Sequence, residues 1–213
     1  MEIRVPAEAD LARLTTDKVA FIDRLLTAVE QEIVPLTQQG VRSGSKIFGG
    51  AVLKKSDLST VAAVTNHETA NPLNHGEIVT INTFYEIPRG KRPPSKDTIF
   101  LSTHEPCPLC LSAITWGGWD NFFYLFTYED SMDAFGIPHD IRLNEEIWRV
   151  EGGEYNHKNA YWSGWCVQDL IESCEPEDRE RLEKRVTALR ETYDEMSDIY
   201  QQSKGKGAEI PLA

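Results

Sequence analysis

Four residues in two short segments could together form a metal-dependent hydrolytic site. His75 and Glu77 stand two apart at the head of an apolar-periodic stretch, and Cys107 and Cys110 stand three apart directly after Pro106. One imidazole and two thiolates give Zn²⁺ three protein ligands and leave its fourth tetrahedral position open for water, which is the arrangement of a catalytic site. The predicted cofactor is therefore Zn²⁺, held by His75, Cys107 and Cys110.

Glu77 is the candidate proton carrier of such a site. Zinc lowers the pKa of a bound water from about 15.7 to about 7, which makes a nucleophile available at neutral pH. Because Glu77 lies two residues beyond the ligand His75, its carboxylate can lean over the metal without binding it. From there it can move protons from the water to a ring nitrogen and a departing amine. Glu77 is the predicted catalytic residue.

The spacing also predicts the elements that carry these residues. Cys107 and Cys110 at positions i and i+3 share one face of a helix, and Pro106 and Pro108 suit the start of that helix. A thiolate at this place is favoured by the positive end of the helix dipole. His75 is predicted to begin a second helix.

Each half of the pattern has a plainer interpretation by itself. A lone Cys-x-x-Cys is often a redox pair or half of a structural zinc site, and a lone His-x-Glu carries almost no information. Here the halves lie about 30 residues apart, with the prolines in place and a strand-like run before each. Together they match the His-x-Glu and Pro-Cys-x-x-Cys signature of zinc nucleobase deaminases.

On these residues the chain resembles the cytidine deaminase superfamily, over about residues 17–140. The second segment has the form T-x-E-P-C-x-x-C, here Thr103-His104-Glu105-Pro106-Cys107-Pro108-Leu109-Cys110. That form is typical of the branch that contains guanine deaminases, yeast-type cytosine deaminases and tRNA adenosine deaminases. The first segment of the branch usually begins D-P-T-x-H-A-E and here reads Asn71-Pro72-Leu73-Asn74-His75-Gly76-Glu77. The ligand and the glutamate are kept, while the Asp, Thr and Ala have changed.

The resemblance and the composition of the later chain also suggest three substrate contacts. Asn66 matches the asparagine that binds the ring in this branch, although the loop after it is two residues shorter than usual. Asp140 ends a stretch loosely like the D-A-x-x-x-G-F-D of guanine deaminases, in which an acidic group reads the amino edge of the base. Trp162 is predicted to stack on the ring, with Trp165 as the alternative, because a flat base needs flat neighbours. The aromatic residues at 148–165 also fit plain packing or a subunit contact.

Net charge favours a small substrate. The chain has 22 Lys plus Arg against 34 Asp plus Glu, a formal charge of −12. A polyanion would have to bind against this average field, so nucleic acid is disfavoured as a partner and a small heterocyclic amine is favoured. Lys46, Lys54 and Lys55 are expected to be ordinary solvated surface. Because one zinc already has its ligands, the other histidines are expected at the surface or the pocket rim: His67, His104, His139 and His157.

The chain shows no sign of a membrane partner. It has no apolar run long enough to span a bilayer, and its first residues lack the basic and apolar regions of a signal peptide. A cytoplasmic location is predicted. Cys166 and Cys174 are then expected to be reduced thiols, because disulfides are unusual in that compartment.

Apolar periodicity predicts an α/β domain. A helical stripe over residues 17–37 is expected to end near Pro35, and strand-like runs begin at Ile47, Thr60, Thr98 and Phe122. Helices alternate with these strands, which indicates a three-layer α/β/α sandwich. The resemblance implies the cytidine deaminase form of this fold, with a mixed five-stranded sheet. Gly49 and Gly50 indicate a bulge or a close backbone approach within the first strand, and a simple kink is the plainer alternative.

A long amphipathic helix is predicted after Glu175, with about six turns and apolar residues at three- and four-residue steps. It is expected to cover its own sheet or a neighbour's, and residues 203–207 onward are read as a flexible tail. One domain is predicted over residues 1–213, with a core at about 17–140 and a helical extension at about 141–203. A homodimer is predicted, with residues 140–200 contributing to the interface or to a lid.

The predicted function is zinc-dependent hydrolytic deamination of a free nucleobase, a nucleoside or a related aminated heterocycle, with guanine and cytosine types favoured. Two alternatives stay open. A deaminase of tRNA or other nucleic acid is disfavoured by the acidity of the chain. A non-catalytic, zinc-stabilised module is disfavoured by Glu77, because this residue would have no structural role beside a zinc ion that already has three protein ligands.

Overall fold

The computed structural model describes residues 9–203 and 210–212 of the chain. Its centre is a five-stranded sheet in the order β2-β1-β3-β4-β5, with strands β1 (Gly49–Lys54), β2 (Thr60–Thr65), β3 (Thr98–His104), β4 (Asn121–Phe126) and β5 (Ser163–Cys166). β1 is antiparallel to both β2 and β3, whereas β3, β4 and β5 run parallel. The predicted mixed five-stranded sheet is confirmed.

Helices cover both faces of this sheet. They are α1 (Ala9–Leu14), α2 (Lys18–Ala28), α3 (Val34–Arg42), α4 (Gly76–Glu86), α5 (Pro108–Trp116), α6 (His139–Leu143), α7 (Val167–Glu172) and α8 (Pro176–Ser203). Successive strand residues point to opposite faces, and they belong to two different apolar clusters. One cluster joins Leu101 and Phe123 to α2, α3, α7 and α8, and the other joins Phe100 and Phe122 to α4 and α5. The three-layer α/β/α arrangement follows.

The first long helix does not end at Pro35, so that predicted boundary is wrong. α2 continues through a π-helical turn, Val29–Ile33, into α3, and Pro35 lies in the first turn of α3. In a regular helix interior, a proline lacks the N–H donor and its ring collides with the carbonyl one turn back. The wider π turn shifts the helical hydrogen bonds just before Pro35, so that Pro35 lies in a first turn. A residue in a first turn does not need to donate a backbone N–H to the helix, so proline is tolerated there.

Glycines let α4 approach β1 closely. A Cβ added to Gly76 would lie 2.7 Å from the Cα of Gly49, and a Cβ added to Gly50 would lie 2.7 Å from Oγ1 of Thr80. Of the two predicted roles for Gly49 and Gly50, the close backbone approach is therefore the observed one. It also explains why glycine stands between His75 and Glu77, because the methyl group of an alanine at position 76 would meet the backbone of β1.

The terminal helix α8 covers the sheet of its own chain. It has 28 residues, which makes it longer than the predicted six turns. All the apolar residues of the predicted stripe are buried, and they join the cluster of α2, α3 and α7: Leu182, Val186, Leu189, Tyr193, Met196 and Tyr200. Most of the predicted flexible tail, residues 204–209, lies outside the described residues.

Leu182→Ala should therefore lower the free energy of unfolding by about 2–5 kcal/mol, because the truncation leaves a cavity under α8. The side chain of Leu182 is 0% exposed. Urea denaturation followed by circular dichroism measures the change. Ile199→Ala is the matched control, since Ile199 lies on the same helix and is 42% exposed. Equal effects of the two substitutions would contradict the packing of α8 on this core.

Two further features of the structure concern membrane-spanning helices and free cysteines. Among the residues it describes, no helix combines the length and the apolar character needed to cross a membrane. Cys166 and Cys174 are both buried and free, as expected of thiols outside a disulfide.

Candidate active site

The two predicted motif segments meet where β3 ends and β1 begins. His75 is the N-cap residue of α4, and Cys107 is the N-cap residue of α5. Because β1 and β3 are antiparallel neighbours, the start of one and the end of the other lie at the same edge of the sheet. Two helix N-termini therefore converge there, and their partial positive charges favour thiolates and carboxylates between them.

The ligand atoms of His75, Cys107 and Cys110 all lie within 4.8 Å of one another. Nδ1 of His75 is 3.4 Å from Sγ of Cys107 and 3.7 Å from Sγ of Cys110. Zn–S bonds of about 2.3 Å and Zn–N bonds of about 2.0 Å separate the ligand atoms of a tetrahedral site by roughly 3.5 Å. The distances and the chemistry of this donor set fit Zn²⁺, and these three residues are positioned to hold it.

Glu77 is buried beside the three ligands. The hydroxyl of Ser102 donates to its Oε1 at 2.7 Å, and Sγ of Cys110 lies 3.3 Å from its Oε2. Burial raises the pKa of the Glu77 carboxyl, and the negative charge of the Cys107 thiolate adds to that effect. A carboxyl group with a raised pKa can hold a proton and release it again, as the predicted role requires.

The ligands share protons before a metal binds. A hydrogen bond from Cys110 lowers the pKa of the Cys107 thiol, and burial raises the pKa of Cys110. Burial disfavours the charged form of His75, but the hydrogen bond and charge of Cys107 outweigh it and raise the pKa of His75 to about 9. Metal binding must displace these protons, so zinc affinity depends on pH.

A cavity of about 330 Å³ is lined by Glu77 and by the ligands His75 and Cys107. Its polar wall contains Lys46, Glu68, Glu105, His139 and Asp140, and its apolar wall contains Phe48, Pro72, Leu73, Leu109, Ile137 and Leu143. Residues 210–212 also contribute to the wall. The size and the mostly apolar surface are those of a small-molecule site with a few convergent polar groups.

Residues 28–126 match the family model of the cytidine and deoxycytidylate deaminase zinc-binding region. The matched region includes both motif segments, with His75, Glu77, Cys107 and Cys110. Among similar proteins, a guanine deaminase of Bacillus subtilis (strain 168) is 30% identical over 102 residues, which are 47% of this chain and 64% of that protein. The matched part is therefore less than two thirds of that relative.

Two solved structures are also similar to this chain. The X-ray structure of guanine deaminase from Bacillus subtilis is 28% identical, with 56% of this chain and 70% of that chain covered and a TM-score of 0.43. A structure of guanine deaminase from Nitrosomonas europaea is 14% identical, with 88% and 96% covered and a TM-score of 0.44.

The three predicted substrate contacts lie at different places relative to the cavity. Asp140 lines the cavity, where burial and then the charges of Cys107 and Glu77 raise the pKa of its carboxyl. Asn66 is buried outside the cavity wall. Its side-chain Nδ2 donates a hydrogen bond to the Glu68 carboxylate, and its Oδ1 accepts one from the backbone N–H of Glu68. The position of Asp140 suits a contact with substrate, whereas Asn66 shows a different use of its side chain.

Trp162 packs in the apolar cluster beneath α4 and α5 and not in the cavity wall. Its ring meets that of Phe122 edge to face at 4.9 Å, and its Nε1 donates to Oγ1 of Thr115 at 2.8 Å. Trp165 stacks on Phe123 with ring centroids 5.0 Å apart. The geometry gives both tryptophans packing roles, and stacking of Trp162 on a base stays a prediction without support from its position.

Lys46 is a site residue, and the prediction that it lies on the solvated surface is wrong. It is only 5% exposed, lines the cavity and donates from Nζ to Oε1 of Glu68 at 3.1 Å. A lysine is rarely buried unless it has a partner, and here the partner stands 22 positions later in the chain. No local pattern around either residue could have revealed the pair.

His104 is also not a surface or rim histidine, contrary to expectation. Its ring is 1% exposed and packs against Phe48 and Phe126, and burial lowers its pKa to about 3.

Glu105, the residue directly after β3, connects two segments near the site. Its Oε1 lies 2.9 Å from Nε2 of His157, and its Oε2 accepts from the backbone N–H of Tyr128 at 3.1 Å. Glu105 thus ties the turn before Cys107 to the segment after β4.

Proposed function

We propose that the protein is a zinc-dependent hydrolytic deaminase of a free nucleobase, a nucleoside or a related aminated heterocycle, and that it releases ammonia. One observation carries the proposal: the buried carboxyl group of Glu77 lies beside three converging zinc ligands and lines a cavity. A structural zinc site has no need for that carboxyl group or for the cavity. The family match of residues 28–126 supports the same reaction class.

His75, Cys107 and Cys110 would hold the metal, which when bound supplies the Lewis acidity that lowers the pKa of water to about 7. Ser102 fixes Oε1 of Glu77, and Oε2 is left facing the ligands. Glu77 takes one proton from the attacking water and gives it to the ring nitrogen, and it then passes the second proton of that water to the departing amine, which leaves as ammonia. The apolar side chains of the cavity keep bulk water away from this proton transfer.

A guanine-type base is the first candidate substrate, and a cytosine-type base is the second. The similar proteins named guanine deaminase support the first candidate. Asp140 supports it too, because a carboxyl in the cavity wall can bond to the amino edge of such a ring. Asp140 is the residue that we propose for base recognition.

A screen for ammonia release tests the function. The zinc-loaded protein is offered free bases, nucleosides, nucleotides and pterins, and we expect release from at least one free base or nucleoside. Heat-treated protein and zinc alone are the controls. Absence of ammonia from every compound, with zinc retained in the protein, would overturn the proposal and favour a non-catalytic module.

Deamination should depend little on salt. The charge of −12 and the acidic cavity wall oppose a polyanion, so a tRNA or other nucleic-acid substrate is the less favoured alternative. We expect less than about a twofold change in kcat/KM between about 50 mM and 200 mM salt, whereas several phosphate contacts would cost orders of magnitude in affinity over that range. A steep decline with a tRNA substrate would reverse this choice.

We also propose a cytoplasmic homodimer. Exposed aromatic and apolar side chains between α6 and β5 offer a surface for a second copy, among them Ile147, Trp148 and Tyr161. An isologous pairing would cover this surface on both chains at once. Light scattering at working concentration measures the assembly, and a monomer would contradict it.

A further inference from the structure

A buried ion pair stands behind the ring of the ligand His75. Glu68 is 3% exposed and its partner Lys46 is 5% exposed. The Glu68 carboxylate accepts from Nζ of Lys46 at 3.1 Å and from Nδ2 of Asn66 at 2.6 Å, and the Glu68 backbone N–H donates to Oδ1 of Asn66 at 3.0 Å. Three hydrogen bonds therefore hold the Glu68 side chain and backbone in one orientation.

His75 presents its two ring nitrogens to different partners. Nδ1 faces the thiols of Cys107 and Cys110, at 3.4 and 3.7 Å. Nε2 lies 3.6 Å from Oε1 of Glu68, which is longer than a hydrogen bond but close enough for a direct electrostatic interaction. If Nδ1 binds the metal, the ring proton must be on Nε2, and this proton then faces a carboxylate.

We propose that Glu68 is a positioning residue for the zinc ligand His75, and that Lys46 is the counter-charge that keeps Glu68 in place. The inference rests on the zinc-dependent function proposed above. A carboxylate behind a metal-bound imidazole fixes its tautomer and ring orientation and raises its basicity as a ligand. Lys46 balances the buried charge, since an unpaired carboxylate at this depth would be strongly disfavoured.

Loop stability alone does not account for this arrangement. Both side chains line the metal cavity as well as pairing with each other. Packing of the loop would not require a buried pair of charges, because well-packed apolar side chains often replace such pairs without loss of stability. A positioning role requires the negative charge at Oε1, since that atom lies toward Nε2 of His75.

The test is the zinc affinity of the double variant Lys46→Met/Glu68→Gln, measured by competition with a chelator. Both charges are removed at similar volume, so neither partner is left buried and unpaired. We expect zinc to bind about 10- to 100-fold more weakly than in the wild type. The matched control is Lys184→Met/Glu180→Gln, which removes an exposed ion pair on α8 and should leave the affinity unchanged.

A second readout separates positioning from stability. ¹⁵N NMR of the zinc-loaded protein reports the His75 ring, and we expect faster exchange of the Nε2 proton in the double variant. If that variant does not fold, Glu68→Asp keeps the charge and moves it away from the ring, and it should also weaken zinc binding. A folded variant of either kind with zinc affinity within about twofold of wild type would overturn the proposal.

These measurements need no substrate, so their outcome is separate from that of the deamination assay. Weaker zinc binding in a protein that releases no ammonia would support the role of Glu68 and contradict the proposed reaction. Unchanged zinc binding in an active protein would do the reverse.

Discussion

Glu77→Gln should keep about one zinc per chain and lose at least about 10²-fold in turnover. The amide has nearly the shape of the carboxyl and can still accept the hydrogen bond that Ser102 donates at 2.7 Å. It cannot take a proton from water or return one to the ring nitrogen. Elemental analysis of the purified variant measures the zinc, and the ammonia assay with the best substrate of the screen measures the turnover.

Glu86→Gln is the matched control for this variant. Glu86 is exposed and is the last residue of α4, the helix that has Glu77 in its first turn. The control should turn over like the wild type. A Glu77→Gln variant with normal turnover would remove Glu77 from the mechanism, and one without zinc would show that Glu77 serves the metal instead of the proton transfer.

Cys107→Ser and Cys110→Ser should each lose both zinc and activity. A serine hydroxyl stays protonated at neutral pH and replaces a thiolate, which is the stronger zinc ligand. Only two of the three protein ligands would remain. After dialysis against a chelator, we expect close to zero zinc per chain in each variant, against about one in the wild type.

Cys166→Ser provides the comparison, because Cys166 is a buried free cysteine of β5 outside the ligand cluster. It should keep its zinc even where it lowers stability. Full zinc retention in both ligand variants would disprove the assignment of Cys107 and Cys110. Loss of zinc in Cys166→Ser as well would point to a general effect of removing a buried thiol.

The chemistry of the site could be predicted because it depends on residue types at short spacing. His75 and Glu77 belong to one helix start, and Cys107 and Cys110 to another, so each pair is positioned by its own backbone. Chain order and apolar runs likewise predicted four of the five strands, since each is a local pattern. The fifth strand, Ser163–Cys166, has only a weak local pattern, because it is short and its aromatic surroundings also fit a substrate contact.

At two positions the tertiary structure adds what local rules do not contain. Proline at position 35 predicts a helix end, but the π turn before it and the packing of α3 on the core carry the helix to Arg42. Trp162 has the chemistry to stack on a base, yet its indole is used in packing and in the bond to Thr115. A side chain's type limits what it can contact, and the fold decides which contact it makes.

By itself, the sequence determined the candidate ligand set, the proposed proton carrier and the alternation of strands and helices, because these follow from the chemistry and spacing of near neighbours. Only the tertiary structure decided what surrounds them. Lys46 and Glu68 come together across 22 positions, through the antiparallel turn of β1 into β2 and the loop that follows. Asp140 reaches the cavity wall from beyond β4. Burial favours such contacts, because a charge removed from water needs a polar or charged partner nearby, and that partner can come from any position in the chain.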